Sequence, residues 1–130
     1  MQLRISNTDG TPIYQQIVAQ VRHLVAAGRL QPGEELLPIR TLAEQLTVNP
    51  NTVARAYLEL ERTGAVTKRH GSGTYVSEAA STMPQREKLK MIRQRVDALL
   101  VEATHLAIDL DVLIEMLQQR HQAIHPETRQ

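Results

Sequence analysis

The stretch Leu46-Thr47-Val48-Asn49-Pro50-Asn51-Thr52-Val53-Ala54-Arg55-Ala56-Tyr57 decides the fold, because it ends one helix and starts another within a few residues. Before it, the pattern predicts a helix over about 39–46 with Leu42, Ala43 and Leu46 facing inward. Thr47-Val48-Asn49 is a short turn. Asn49-Pro50 is a strong start signal, a polar cap followed by proline at the first helical position, where the missing N–H costs nothing. The next helix runs to about Thr63, burying Val53, Ala56, Tyr57 and Leu60, and Gly64 ends it. Two helices joined by so few residues cannot lie antiparallel; they cross steeply, as in a helix-turn-helix.

Outward from that centre the periodicity changes. After Gly64 the apolar period drops from 3.6 to 2. Ala65–Arg69 reads as one strand, Thr74–Ser77 as its partner, and His70-Gly71-Ser72-Gly73 as the turn between them. On the other side, residues 1–10 read as an extended lead-in, and Thr11-Pro12 as the cap and first position of another helix. Ile13, Ile17, Val21, Leu24 and Val25, with Val18 beside them, form its inner face, and Gly28 supplies a left-handed stop before the turn Leu30-Gln31-Pro32-Gly33. Three helices followed by a β-hairpin make a winged helix-turn-helix. Tyr14 and Tyr57 are expected in its core.

Residues 79–84 are a linker of small and polar residues. Beyond it, Leu89, Ile92, Val96, Leu99, Ala103, Leu106, Leu110, Leu113, Leu117 and Ile124 follow a 3-4 step, broken only before Ile124. That is a heptad seam, and a stripe so narrow needs a folded-back helix, the winged domain or another subunit to cover it. The fold class expected is therefore mainly α with a small β-hairpin. It places a winged domain over 1–78, a linker over 79–84 and a helical dimerisation region over 85–125.

Composition removes several classes of function. The 130 residues hold three Tyr and no Phe or Trp, too few rings for a stacking platform that binds single strands. Cysteine is absent, which excludes disulfides, thiolate zinc sites and cysteine nucleophiles. No signal-peptide run and no apolar stretch of membrane-spanning length is present, so the chain is expected in the cytoplasm without a membrane partner. The net charge of +1 points to no partner, and residues 1–78 and 79–130 are each nearly balanced. An electrostatic footprint must come from local clusters such as Lys68-Arg69-His70.

Duplex DNA is the partner that the winged domain's polar residues fit. A recognition helix offers its first turn to base edges in the major groove, and Asn49, Asn51 and Thr52 fill that turn with Arg55 one turn on. Asn49 also serves as a plain cap, and Arg55 and Arg40 as solvated surface charges. Arg40, at the start of the second helix, would sit near the phosphate backbone. In the wing, Gly71 and Gly73 flank Ser72 and permit close backbone approach to a phosphate or minor groove, while Lys68, Arg69 and His70 add charge. A bare hairpin turn explains the glycines but not the three basic residues.

These residues resemble a known family. Pro12-Ile13-Tyr14-Gln15-Gln16-Ile17, Pro32-Gly33, Arg40-Thr41-Leu42-Ala43, Asn49 through Tyr57, Leu60-Glu61, Gly64 and His70-Gly71-Ser72-Gly73-Thr74-Tyr75-Val76 together look like the GntR family of bacterial regulators. The short tail is similar to that of its YtrA-type branch. The resemblance implies DNA contacts from Arg40, the first turn of the third helix and the wing glycines. Many members carry Ser at the place of Pro38 and Arg at those of Pro50 and Ala54, so the burden shifts here to Asn49, Asn51, Thr52 and Arg55. The resemblance also implies a tail of two dimerising helices and targets that are often transporter genes. Leu106-Ala107-Ile108-Asp109-Leu110 fits such a break with Asp109 as cap, although the seam alone favours one helix of about 40 residues.

The expectation is thus a DNA-binding regulator, a repressor, acting as a homodimer on an inverted-repeat operator, with no cofactor and no identified effector ligand. The pairs His105/Asp109 and His121/His125 have metal-ligand spacing but no third ligand, so no metal site is assigned. No phosphate loop or nucleophile motif indicates an enzyme. The rival is a winged-helix adaptor that docks onto proteins through a coiled-coil tail.

Overall fold

The computed structural model describes residues 1–80 and 83–126. Helices α1 (Ile13–Ala26), α2 (Ile39–Leu46) and α3 (Pro50–Arg62) precede strands β1 (Val66–Arg69) and β2 (Gly73–Val76), and α4 (Gln85–His105) and α5 (Leu110–Ile124) follow. The chain divides into two compact units, Met1–Met83 and Pro84–Gln130. No described helix is long and apolar enough to cross a membrane.

In the first unit, α3 packs on both α1 and α2. Ile17, Val18, Val21, Leu42, Ala43, Val53, Ala56, Tyr57 and Leu60 form one core, closed by Leu30, Leu36, Val66 and Val76. The helical and strand periods placed these helices and both strands correctly. One cap differs. Pro12, with φ −54° and ψ 142°, stands at the N-cap of α1 and no side chain caps the helix. Because Pro12 itself is extended, the first helical residue is Ile13 and Thr11 stands one position too early to cap. The Thr11 N–H instead donates to Asp9 Oδ1 at 2.8 Å.

The N-terminal arm is tied to α1 by two glutamines. Gln20 pairs with the N–H and C=O of Arg4 at 2.9 and 2.6 Å, and Gln16 with those of Ser6 at 2.8 and 2.7 Å. Residues one helical turn apart rise about 6 Å, close to the two-residue repeat of an extended chain, so both amides meet the arm in step.

Four helices end in one closure, in which an N–H reaches back five residues and its predecessor reaches back three. The pairs are Arg29 to Leu24 and Gly28 to Val25; Val48 to Ala43 and Thr47 to Glu44; Ala65 to Leu60 and Gly64 to Glu61; Ile108 to Ala103 and Ala107 to Thr104. The closure needs a left-handed residue. Gly28 and Gly64 fill that place freely, but Thr47 (φ 55°) and Ala107 (φ 58°) do so against a steric cost of about 1–2 kcal/mol each.

The wing is an antiparallel pair in the register Val66↔Val76, Thr67↔Tyr75, Lys68↔Thr74 and Arg69↔Gly73. A third short arm joins it: Gly33 N–H donates to Val76 C=O, Val76 N–H to Glu34 C=O and Leu36 N–H to Thr74 C=O, around a bridge between Glu35 and Tyr75. β2 therefore has a partner on each side.

In the second unit α4 stops at His105 and α5 starts at Leu110. Asp109 occupies the N-cap of α5, but its side chain makes no cap hydrogen bond. The expected cap is replaced by the charge of Asp109 and Asp111 at the positive helix start. The seam is not one continuous stripe. Among its members Ala103 and Leu113 are buried within the unit, whereas Leu89, Ile92, Val96, Leu110 and Leu117 are 50, 57, 45, 58 and 55% exposed.

Candidate nucleic-acid interface

Asn49 caps α3: its Oδ1 accepts from the Asn51 N–H at 2.8 Å, and its C=O from the Thr52 N–H at 2.9 Å. The Asn51 and Thr52 side chains have no hydrogen-bond partner among the described residues, and Asn51 is exposed. Arg55, also exposed, holds its guanidinium 3.9 Å above the centre of the Tyr14 ring. Tyr14 is therefore only half-buried, not a full core residue: it packs on the core while its ring carries the cation. Such a stack contributes about 0.5–1 kcal/mol at an exposed site. Ile13, Tyr14, Asn49, Asn51, Thr52 and Arg55 line one open concavity.

Arg40 lies in the first turn of α2, exposed and without an ionic partner among the described residues. The loop leading to it is fixed by Tyr57, whose O–H donates to the Leu37 C=O at 2.7 Å. Burial pushes this phenol well above its usual pKa, so it stays a donor. Arg22 and Arg62 are engaged elsewhere, on Thr63 and Glu59. The hydrogen bond from Arg62 lowers the Glu59 pKa in that exposed pair.

The basic run in the wing does not act as one cluster. Strand alternation sends Lys68 to the side of Thr74, where both line a groove with Ile39, Ala54, Tyr57, Leu58 and Glu61. Arg69 goes to the opposite face, 4.1 Å above the Tyr75 ring, and its 3.6 Å ion pair with Glu78 is too exposed to hold it firmly. The Tyr75 hydroxyl is 2.6 Å from Ser72 Oγ, so the turn, the ring and Arg69 form one assembly. His70 is exposed at the turn.

The two wing glycines differ in kind. Gly71 has φ 75° and open space around it, so backbone conformation alone calls for glycine. At Gly73 (φ 156°) a Cβ would stand 2.6 Å from Glu35 Oε2. The sequence reading missed Glu35, a carboxylate set against the wing. Its only local signal was the alternation of exposed Glu35 with buried Leu36, too short to read as a strand. His121 and His125 bring their ring centroids within 5.1 Å, but no group of three potential metal ligands occurs among the described residues.

A three-helix core, a polar helix start and a twice-paired β-hairpin define a winged helix-turn-helix. The family model described as "Bacterial regulatory proteins, gntR family" matches residues 13–76. The chain is similar to the HTH-type transcriptional repressor YtrA of Bacillus subtilis (strain 168), with 38% identity over 117 residues and 90% of each chain covered. Two solved structures are also similar. One, a transcriptional antiterminator from Listeria monocytogenes EGD-e, has a TM-score of 0.60 and 31% identity, with 95% of this chain and 92% of that one covered. The other, YtrA from Sulfolobus acidocaldarius, a GntR-family transcription factor, has a TM-score of 0.54 and 36% identity, with 74% and 97% covered. The chain belongs to the GntR family of regulatory proteins. It is a DNA-binding transcriptional regulator and not an enzyme.

Proposed function

We propose that this chain is a sequence-specific repressor that works in the cytoplasm as a homodimer on an inverted-repeat operator in double-stranded DNA. The observation that carries this reading is the start of α3. Asn51 and Thr52 offer polar groups with no internal partner, and Arg55 stands behind them on Tyr14. An α-helix fits the major groove, where an amide matches adenine and a guanidinium matches guanine. Asn49 commits one lone pair of its Oδ1 to the cap, and its N–H donors remain for DNA. Arg40 would take a backbone phosphate. Lys68, Arg69, His70, Gly71, Ser72 and Gly73 bring charge and close backbone approach at the wing.

The tail, residues 85–125, supplies the dimer through the exposed seam residues Leu89, Ile92, Val96, Leu99, Leu106, Leu110 and Leu117. A two-fold dimer sets two recognition helices in successive major grooves. Similarity to the repressor YtrA supports repression, and the resemblance to short-tailed regulators supports transporter genes as targets. No effector ligand, metal or membrane enters this reading.

Selection from random duplexes followed by footprinting tests it. The expected result is a protected inverted repeat with half-sites spaced by whole turns of about 10 bp. Arg55→Ala should cost about 1–3 kcal/mol at one base pair of each half-site. A uniform loss over all sequences would make Arg55 a phosphate contact. No duplex affinity even at low salt would overturn the reading in favour of a protein-docking adaptor.

A further inference from the structure

The tail's balanced total charge conceals a division. Residues 86–95 hold five cations, Arg86, Lys88, Lys90, Arg93 and Arg95, against Glu87 alone. Residues 96–126 hold five anions, Asp97, Glu102, Asp109, Asp111 and Glu115, against Arg120. None of the five cations has an ionic or hydrogen-bond partner among the described residues.

Their placement is as particular as their sign. With Leu89 and Val96 as a residues and Ile92 and Leu99 as d residues, Arg86 and Arg93 fall at e, and Lys88 and Arg95 at g. Those positions flank a helix seam and set the orientation of its partner. Glu102 is the next g residue after Arg95. DNA is uniformly anionic and matches only the basic half of the tail, so it is the weaker candidate for this surface.

A second copy of this chain fits instead, in one orientation. In a parallel pair in register, Lys88 would face Arg93 of the partner subunit, and both basic halves would lie side by side. In an antiparallel pair centred between Val96 and Leu99, Arg95 faces Glu102 of the partner subunit. Lys88 then lies beyond His105 of the partner subunit, where that subunit's α4 ends, and symmetry makes the Arg95–Glu102 contact twice. We propose that two copies pair through α4 in antiparallel orientation, selected by the basic first half and the acidic second half of the tail. This deepens the homodimer reading and rests on it.

The test uses the full chain. Because it has no cysteine, Gln85→Cys gives a single site for a nitroxide label. Pulsed dipolar spectroscopy should find the two labels about 35–40 Å apart in an antiparallel dimer. A distance below about 20 Å means parallel helices and overturns this inference alone. A chain that stays monomeric at micromolar concentration overturns the homodimer reading as well. By sedimentation, Arg95→Glu and Glu102→Arg should each weaken the dimer about tenfold at low salt, and the double variant should return to within about threefold of the parent. Single variants without effect, or no recovery in the double variant, would overturn the charge selection.

Discussion

The winged unit and the tail both carry leucine and valine at helical spacing, yet only the first covers them. In the winged unit three crossing helices and a sheet enclose Ile17, Leu42, Val53 and Leu60 completely. In the tail two helices leave Leu89, Ile92, Val96, Leu110 and Leu117 in solvent and bury only Ala103 and Leu113 among the described residues. A narrow apolar stripe needs elements crossing over it from more than one direction, and a pair of helices supplies too few. The difference separates a unit that is complete within one chain from one that is half of an interface.

The strongest way to break this contrast is to end the chain at Met83. The remaining unit should still melt cooperatively, while operator affinity measured by titration falls about 10²–10⁴-fold through loss of bivalent binding. A shortened chain that unfolds would show that the tail completes the core. The next test is a pair of matched truncations. Leu60→Ala should cost about 2–5 kcal/mol in urea unfolding. Leu117→Ala should leave the winged unit within about 0.5 kcal/mol of the parent and act on dimer dissociation instead.

A smaller effect belongs to Tyr57. Replacing it with Phe leaves the Leu37 carbonyl without its donor and should cost about 1–3 kcal/mol. The buried phenol holds its proton more tightly when folded than when unfolded. Its contribution is therefore complete below about pH 10, the unfolded value, and declines as pH rises beyond it. The decline approaches about 1.4 kcal/mol per pH unit, and the difference between parent and Tyr57→Phe across an alkaline unfolding series isolates it. The mildest changes are Thr47→Gly and Ala107→Gly, one in each region. Each removes a left-handed side-chain clash and should raise stability by about 1 kcal/mol or less, because glycine also loosens the unfolded chain.

Local pattern made much of this molecule legible. Leu42, Val53, Ala56, Tyr57 and Leu60 were placed by period, and Gly28 and Gly64 announced two helix ends. The same closure at Thr47 and Ala107 carried no glycine, so the first passed as a plain turn and the second stayed ambiguous against the unbroken heptad. The wing's strands were legible, but counting Lys68, Arg69 and His70 as a cluster overlooked the alternation that puts Lys68 and Arg69 on opposite faces. Contacts between distant residues had no local signal at all. Arg55 on Tyr14 and Glu35 beside Gly73 come from chain crossings that only the assembled core produces. In the tail, a total charge near zero hid two opposite halves because charge was summed over too long a window.

The glutamine ties at the N-terminus have a kinetic consequence. Arg4 and Ser6 belong to no helix or strand, yet their amide protons are held by Gln20 and Gln16 as a neighbouring strand would hold them. Their exchange with deuterated solvent should be slower than that of Asn7, and faster for Arg4 once Gln20 is replaced by Ala. The exchange rate of those two amides would thus time how often the arm lifts from α1 in an otherwise folded chain.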